Sequence, residues 1–265
     1  MPLFNRVQGN PKHPTLVFLH GFLGNVNDWS ETINFLKDDY YCVSIDLPGH
    51  GHSVSIYPSQ DEGFEYCHHL ICNALNELNI TQFTFVAYSL GGRLALDYAR
   101  TQDDPRLQRL ILESCHTGLI NEKEKELRYQ HDLGWAQRFA TQSMIDTLFE
   151  WYDQPVFSSL NDQEKERMIE KRSKNYGVYL ASILLLTSLS KQTDALPYLQ
   201  KNKLLETPLP IYYCFGEKDT KFSQLAETLS AQTSIKVIKF KDSGHNIHQQ
   251  VPQQYAQIIK EIFKK

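Results

Sequence analysis

The run Val86-Ala-Tyr-Ser89-Leu-Gly-Gly-Arg93 carries the strongest chemical signal in the chain: a strand-like stretch, a serine, then two glycines that open a helix. This is the nucleophile-elbow pattern G-x-S-x-G, with Ala87 in the first small position. A serine on so tight a turn needs small residues two places to either side, since larger side chains would strike the strand or the helix. Alanine meets that demand nearly as well as glycine. The Leu90 N–H then lies at the helix start, aimed where an oxyanion would form. Two later segments supply the partners such a serine requires. Phe215-Gly-Glu-Lys-Asp219 places an acid just past a late strand, and Asp242-Ser-Gly-His245 places a histidine just past the last one. His20-Gly-Phe22 follows the first strong strand and offers a second oxyanion donor, the Phe22 N–H. Ser89, Asp219 and His245 are therefore the expected catalytic group, with Phe22 and Leu90 as the oxyanion hole.

Other residues compete for these roles. Glu113 also ends a strand and can hold the histidine in place of Asp219. His248 lies one helical turn beyond His245, but Gly244 directly before His245 suits a tight turn that presents that imidazole. His50 and His52 sit in a Pro-Gly-His-Gly-His turn without a carboxylate or cysteine at ligand spacing, which favours loop stabilisation over metal binding. His68 and His69 are adjacent on a helix and diverge in direction. Cys115 and His116 are adjacent too and do not face each other. Arg93 stands four residues past Ser89 on the same helical rise, within reach of a pocket mouth. A guanidinium there suits bidentate recognition of a carboxylate, and the alternative is a pairing with a structural acid.

These residues need a scaffold that brings strand ends together. Thr15–Leu19, Tyr40–Ile45, Phe83–Tyr88 and Arg109–Glu113 are short, β-branched and aromatic runs, as expected of strands buried on both faces of a parallel sheet. Helical stretches over 62–78 and 91–100 separate them, which reads as βαβ units. From about Gly118 to Leu205 no strand-like run occurs, and Glu, Lys, Gln and Leu dominate over 121–138 and 161–172. The charged run 162–166 reads as a solvated helix face. Strand signals resume at Pro210–Phe215 and Ile235–Phe240, and a proline-opened helix over 251–263 closes the chain. The expected fold class is α/β: an α/β-hydrolase fold, with a mostly parallel central sheet flanked by helices. Residues 1–117 and 206–265 form its core, and 118–205 an inserted helical cap.

The 265 residues are 41% hydrophobic and 22% charged, an ordinary globular composition. A net charge of −4 and a pI near 6.2 exclude the basic stripe that nucleic-acid binding needs. No apolar run approaches the ~18 residues of a membrane span. Met1-Pro-Leu-Phe-Asn-Arg6 lacks a charged region leading into an apolar one, so a cytoplasmic location is expected. Five cysteines, odd in number and without a C-x-x-C pair, speak against a disulfide framework or a zinc ribbon. Cys42 and Cys214 fall inside strand-like runs, as small buried thiols do.

Several segments resemble the 2-succinyl-6-hydroxy-2,4-cyclohexadiene-1-carboxylate synthase family of menaquinone biosynthesis. They are Leu19–Phe22, Asp46–Gly51, Tyr88–Arg93, Trp151–Phe157 with Ser159–Asp162, Arg172–Asn175, Gly216–Phe222 and Gly244–His248. The elbow and the hydrolase turns are shared across a wide superfamily. The Trp-Tyr-x-Gln-Pro-Val-Phe and Arg-Ser-x-Asn segments of the cap are far more specific. Ala87, where the family usually has glycine, is a mild departure. The resemblance implies a lyase on a hydrolase fold, one that removes pyruvate from a 5-enolpyruvoyl cyclohexene carboxylate by 2,5-elimination without a covalent intermediate. By that resemblance Ser89 is the base that takes the ring proton, with His245 and Asp219 behind it. Arg93, Arg128 and Arg172 form a cationic pocket shaped by Tyr88 and Trp151, with Lys221 beside the acid. It further implies no cofactor and no metal, and a small polycarboxylate as the only partner. No nucleic acid and no membrane insertion are expected, and the chain is expected to be a monomer. Two other readings remain: an ester, thioester or carbon–carbon bond hydrolase working through an acyl-enzyme, and a binding module that keeps the fold without the chemistry.

Overall fold

The computed structural model describes residues 2–56 and 63–264. Seven strands form one sheet in the order β1-β3-β2-β4-β5-β6-β7. They are β1 (Asn5–Gln8), β2 (Thr15–Leu19), β3 (Tyr41–Ile45), β4 (Phe83–Tyr88), β5 (Leu107–Glu113), β6 (Ile211–Gly216) and β7 (Lys236–Phe240). All neighbours pair in parallel except β1, which runs antiparallel to β3. The six runs read from sequence as strands are all present. β1 is the addition: a short, half-exposed edge strand of sequence Asn-Arg-Val-Gln, without the apolar run that marks a buried strand.

β4 and β6 are buried at every position, because helices cover both faces of the sheet centre. One face packs against α2 (Gly63–Glu77), α3 (Leu90–Thr101) and α9 (Thr220–Gln232), through residues such as Ile71, Leu94 and Leu229. The other packs against the short α1 (Ser30–Asn34) and the closing helix over Pro252–Phe263, through Ile33, Tyr255 and Ile259. The helix expected over 62–78 is observed as α2, with Glu62 outside the described residues.

Between β5 and β6 the chain forms only helices: α4 (Glu122–Thr141), α5 (Met144–Tyr152), α6 (Asp162–Arg172), α7 (Gly177–Leu186) and α8 (Leu196–Asn202), with short 3-10 turns. Asn121 caps α4 by accepting the Lys123 and Glu124 N–H groups, and Asn161 with Glu164 forms a capping box at α6. α4 and α7 pack along each other, and with α5 and α6 they enclose an apolar cluster of their own that includes Trp135, Phe139, Leu148, Ile169 and Leu180. Leu23, from the loop after β2, joins that cluster and fastens it to the core. α8 differs from its neighbours, since Leu199 packs into the sheet-side core. The two ends of the helical layer lie side by side, where the Ala195 N–H donates to the Thr117 carbonyl at 2.7 Å. Among the described residues no helix is long and apolar enough to cross a membrane.

Candidate active site

Ser89 sits between β4 and α3 with φ +49° and ψ −108°, a left-handed backbone that a non-glycine residue rarely adopts. Neighbouring elements hold it there. Its N–H donates to the Glu113 carbonyl on β5 at 2.9 Å, and its own carbonyl accepts the Arg93 N–H at 2.9 Å. The turn fits because position 91 is glycine: a Cβ there would collide with the Leu19 and His20 carbonyls at the end of β2. The Gly91 N–H instead donates to the His20 carbonyl at 3.1 Å. Among the described residues no acceptor is taken by the Leu90 N–H or the Phe22 N–H, so both expected oxyanion donors are free.

The Phe22 loop is held by two buried histidines. His50 Nε2 accepts the Leu23 N–H at 3.1 Å, and His20 Nε2 accepts the Leu47 N–H at 2.9 Å. Each ring turns its Nδ1 to a carbonyl, Pro48 for His50 and Gly21 for His20, which fixes the tautomer. Burial pushes His50 down to about 3 and also lowers His20, so both act as neutral acceptors. Loop stabilisation is therefore what His50 does. His52 contributes only through its backbone N–H, which donates to Asp46 Oδ2 at 2.8 Å, while its ring rests 4.5 Å from that of Phe4.

Asp219 caps α9, one carboxylate oxygen accepting the Phe222 N–H at 3.3 Å. The other lies 2.7 Å from His245 Nδ1, and both side chains are buried. Glu113, the competing acid, is taken by the competing histidine: its Oε1 is 2.8 Å from His248 Nδ1 in a pair with no solvent exposure. Gly244 is needed, though not for a left-handed turn, since the residue with positive φ in this loop is Asp242. A side chain at Gly244 would strike Ser159, which comes from the helical layer.

Ser89 and His245 face a cavity of about 470 Å³ between core and helical layer. Tyr88, Phe22, Trp151, Phe157 and Phe222 give it aromatic walls, Arg128 and Lys221 give it cations, and the His131 imidazole lies beside them. Arg128 reaches it from α4 while its Nε holds both Asp132 oxygens at 2.9 and 3.0 Å. Lys221 makes no salt bridge among the described residues, and burial followed by repulsion from Arg128 lowers its ammonium from the ordinary lysine range. Asp219 and Asp132 attract it without forming an ion pair, its Nζ lies 5.5 Å from the Phe222 ring centroid, and the residue lines the same cavity as Ser89.

The family described as alpha/beta hydrolase fold matches residues 14–250. The 2-succinyl-6-hydroxy-2,4-cyclohexadiene-1-carboxylate synthases of Escherichia coli strains SMS-3-5 and O1:K1 are each 39% identical over 244 residues, covering 92% of this chain and 91% of theirs. The chain belongs to this synthase family. Among solved structures, that of MenH from S. aureus superposes with a TM-score of 0.87 at 27% identity, over 98% of this chain and 97% of that one. A thermophilic esterase from Thermogutta terrifontis, 20% identical with a TM-score of 0.79 over 99% of this chain and 93% of that one, shares the fold.

Not every residue expected from the synthase motifs lies on the cavity wall. Arg93 does not line it. Its Nη1 donates to the Thr187 carbonyl at 2.8 Å and its guanidinium lies 5.8 Å from the Phe64 ring, with no acid partner among the described residues. Burial and the adjacent Arg128 bring it down to about 10. Arg172 is also off the wall, at the end of α6, where Nη2 donates to Asp28 at 2.7 Å in a pair that is almost wholly buried. Among the described residues its Nε and Nη1 make no geometric hydrogen bond, although the Tyr152 hydroxyl lies near. His116 accepts the Gly118 N–H through Nδ1 at 3.1 Å, while burial pushes the Cys115 thiol up to about 12, so the two form no dyad. His68 is buried and His69 exposed, pointing apart as their adjacency predicts. Sequence reasoning passed over His131, Phe157 and Phe222 as wall residues. His131 could have been found as the i+3 neighbour of Arg128, and Phe222 as the first-turn residue of the helix that Asp219 caps.

Proposed function

We propose that this chain eliminates pyruvate from 2-succinyl-5-enolpyruvoyl-6-hydroxy-3-cyclohexene-1-carboxylate to give 2-succinyl-6-hydroxy-2,4-cyclohexadiene-1-carboxylate, a step of menaquinone biosynthesis. The observation that carries the reading is one cavity that gathers the reacting group and the cations together. Ser89 stands there on its strained elbow near the Asp219–His245 pair, and Arg128 from α4 and Lys221 from α9 line the same cavity. Charge-assisted bonds from such cations suit a substrate with several carboxylates. In this reading Ser89 Oγ takes the ring proton as His245 Nε2 accepts the serine's own proton. Asp219 holds the imidazole by Nδ1 and stabilises the cation that forms. The electrons of the broken C–H bond move into the ring to make the diene, and the ring C–O bond breaks. Pyruvate departs as its enolate, which takes up one proton at its CH2 carbon, balancing the one removed from the ring, and so becomes the ketone. The Phe22 and Leu90 N–H groups meet the negative charge that develops on the substrate. Water must be kept out for a serine alkoxide to meet a carbon acid, and the aromatic lining supplies that exclusion.

Incubation with the enolpyruvoyl substrate tests this directly. Pyruvate and the absorbance of the conjugated diene should appear together and in equal amounts. Rapid turnover of simple esters through an acyl-enzyme, without pyruvate release, would overturn it in favour of a hydrolase.

A further inference from the structure

We propose that Glu113 is a positioning residue that ties the Ser89 elbow to the loop carrying His245 and so sets the distance between the two reacting side chains. The proposal rests on the reading of Ser89 and His245 as the reacting pair. Glu113 ends β5, next to β4, and acts in two directions. Its main-chain carbonyl accepts the Ser89 N–H at 2.9 Å. Its carboxylate Oε1 accepts both the ring Nδ1–H of His248 at 2.8 Å and the His248 backbone N–H at 3.2 Å. One residue thus grips the nucleophile's backbone on one side and the histidine's loop on the other.

The His248 ring stacks on Trp29 at 4.1 Å and packs 4.9 Å from Tyr88, so it cannot rotate away from Glu113. A second strap runs parallel to the first, from the Tyr88 hydroxyl to Asn246 Oδ1 at 2.5 Å. Both straps start beside Ser89 and end within three residues of His245. The bond from Asp219 orients the His245 ring, but Asp219 follows the end of β6 and among the described residues makes no hydrogen bond to the elbow. A carboxylate and an imidazole buried without solvent contact are costly unless they bond well to each other. Retaining such a pair under the site, when an apolar pair would fill the same space, fits a demand for placement.

The test compares Glu113→Ala with Glu113→Gln in the full chain. Gln keeps an acceptor oxygen for the His248 donors and removes the charge, whereas Ala removes the anchor. A misplacement on the order of 1 Å costs about a hundredfold in rate, so E113A should lose about tenfold to hundredfold in kcat. Its KM should stay within about threefold, since Arg128 and Lys221 are untouched, and E113Q should recover most of the loss. The rate at which a fluorophosphonate labels Ser89 should fall in the same order. Labelling does not depend on the substrate, so a parent enzyme that releases no pyruvate would overturn the substrate reading while slow labelling of E113A still upholds this one. If E113A does not fold, the double change Glu113→Leu with His248→Phe removes the strap, leaves no buried charge unpaired and should show the same kcat loss. Unchanged kcat and labelling in the strapless variant, or E113Q as impaired as E113A, would overturn the proposal.

Discussion

Ser89 has an N–H held by β5 and a carbonyl held by its own helix, so its hydroxyl cannot relax out of the cavity without breaking the elbow. Ser89→Ala should therefore abolish pyruvate release and leave binding of an anionic product analogue largely intact, because the cations that capture it are elsewhere. Calorimetric titration alongside turnover separates the two. His245→Ala should cost nearly as much as the serine change, and the double variant little more, since members of one proton relay do not contribute independently. Multiplying losses would assign them to different sites. Three histidines set in the interior of the fold give a different dependence. Burial pushes His50 down to about 3, and His68 and His116 down to about 4. Unfolded, each returns to about 6.5, so below that value the unfolded chain binds protons that the folded chain refuses. Stability should fall as pH drops from about 6.5 towards 3, by at most about 1.4 kcal/mol per pH unit for each histidine. Urea unfolding at pH 7, 6 and 5 measures that slope, and His50→Gln should flatten it; an unaltered slope would mean that His50 is not neutral in the fold.

The elements that deliver these residues were legible where one force dominates. Buried parallel strands such as β4 are pure apolar runs, and α4 and α6 open with asparagines that satisfy their first N–H groups, so both kinds read from sequence to within a few residues. β1 escaped notice because an edge strand gains its stability from pairing with β3, and pairing leaves no trace in apolar content. Ser89, Asp219 and His245 stood out because each sits at a strand's end beside turn residues, whereas the bonding of Arg172 did not. Its partner Asp28 is 144 positions away, in the 3-10 turn Val26–Trp29. Burial alone would raise the Asp28 carboxyl, but the Arg172 guanidinium outweighs it and brings the group to about 2. This pair fixes the end of α6 to the core. Arg172→Ala leaves Asp28 buried without its strongest partner, so a loss of about 3–5 kcal/mol in unfolding free energy is expected in addition to any effect on catalysis. Chemical denaturation measures it, and adding Asp28→Asn should restore part of the loss. A cost below about 1 kcal/mol would show that α6 is held by its apolar contacts alone.

At the scale of the molecule, the helical layer is one continuous insertion, joined to the core by the chain at one place and held to it elsewhere by contacts such as Leu23 and the Arg172–Asp28 pair. The chain leaves the core at Thr117 and returns at Ala195, where the two are hydrogen-bonded, so the layer can be removed without stretching the sheet. Residues 119–193 contain Arg128, Trp151 and Phe157, hence most of the cavity's roof, whereas Leu199 of α8 belongs to the core and must stay. A binding site divided between two layers is completed only when they close on the ligand, as lids do. An anionic product analogue should then slow hydrogen exchange in α4 and α5, near Arg128 and Trp151, while amides of β2 and β4 at Val17 and Val86 change little. Replacing 119–193 by a short linker should give a core that folds, read as cooperative unfolding, yet releases no pyruvate, because Ser89 would then face bulk water in place of an aromatic wall. The shortened chain will expose Leu23 and Phe22, which the layer covers, so its solubility should drop even as its sheet survives. Lyase activity in the shortened chain, or exchange in α4 and α5 indifferent to the ligand, would mean that the layer shields the site without helping to form it.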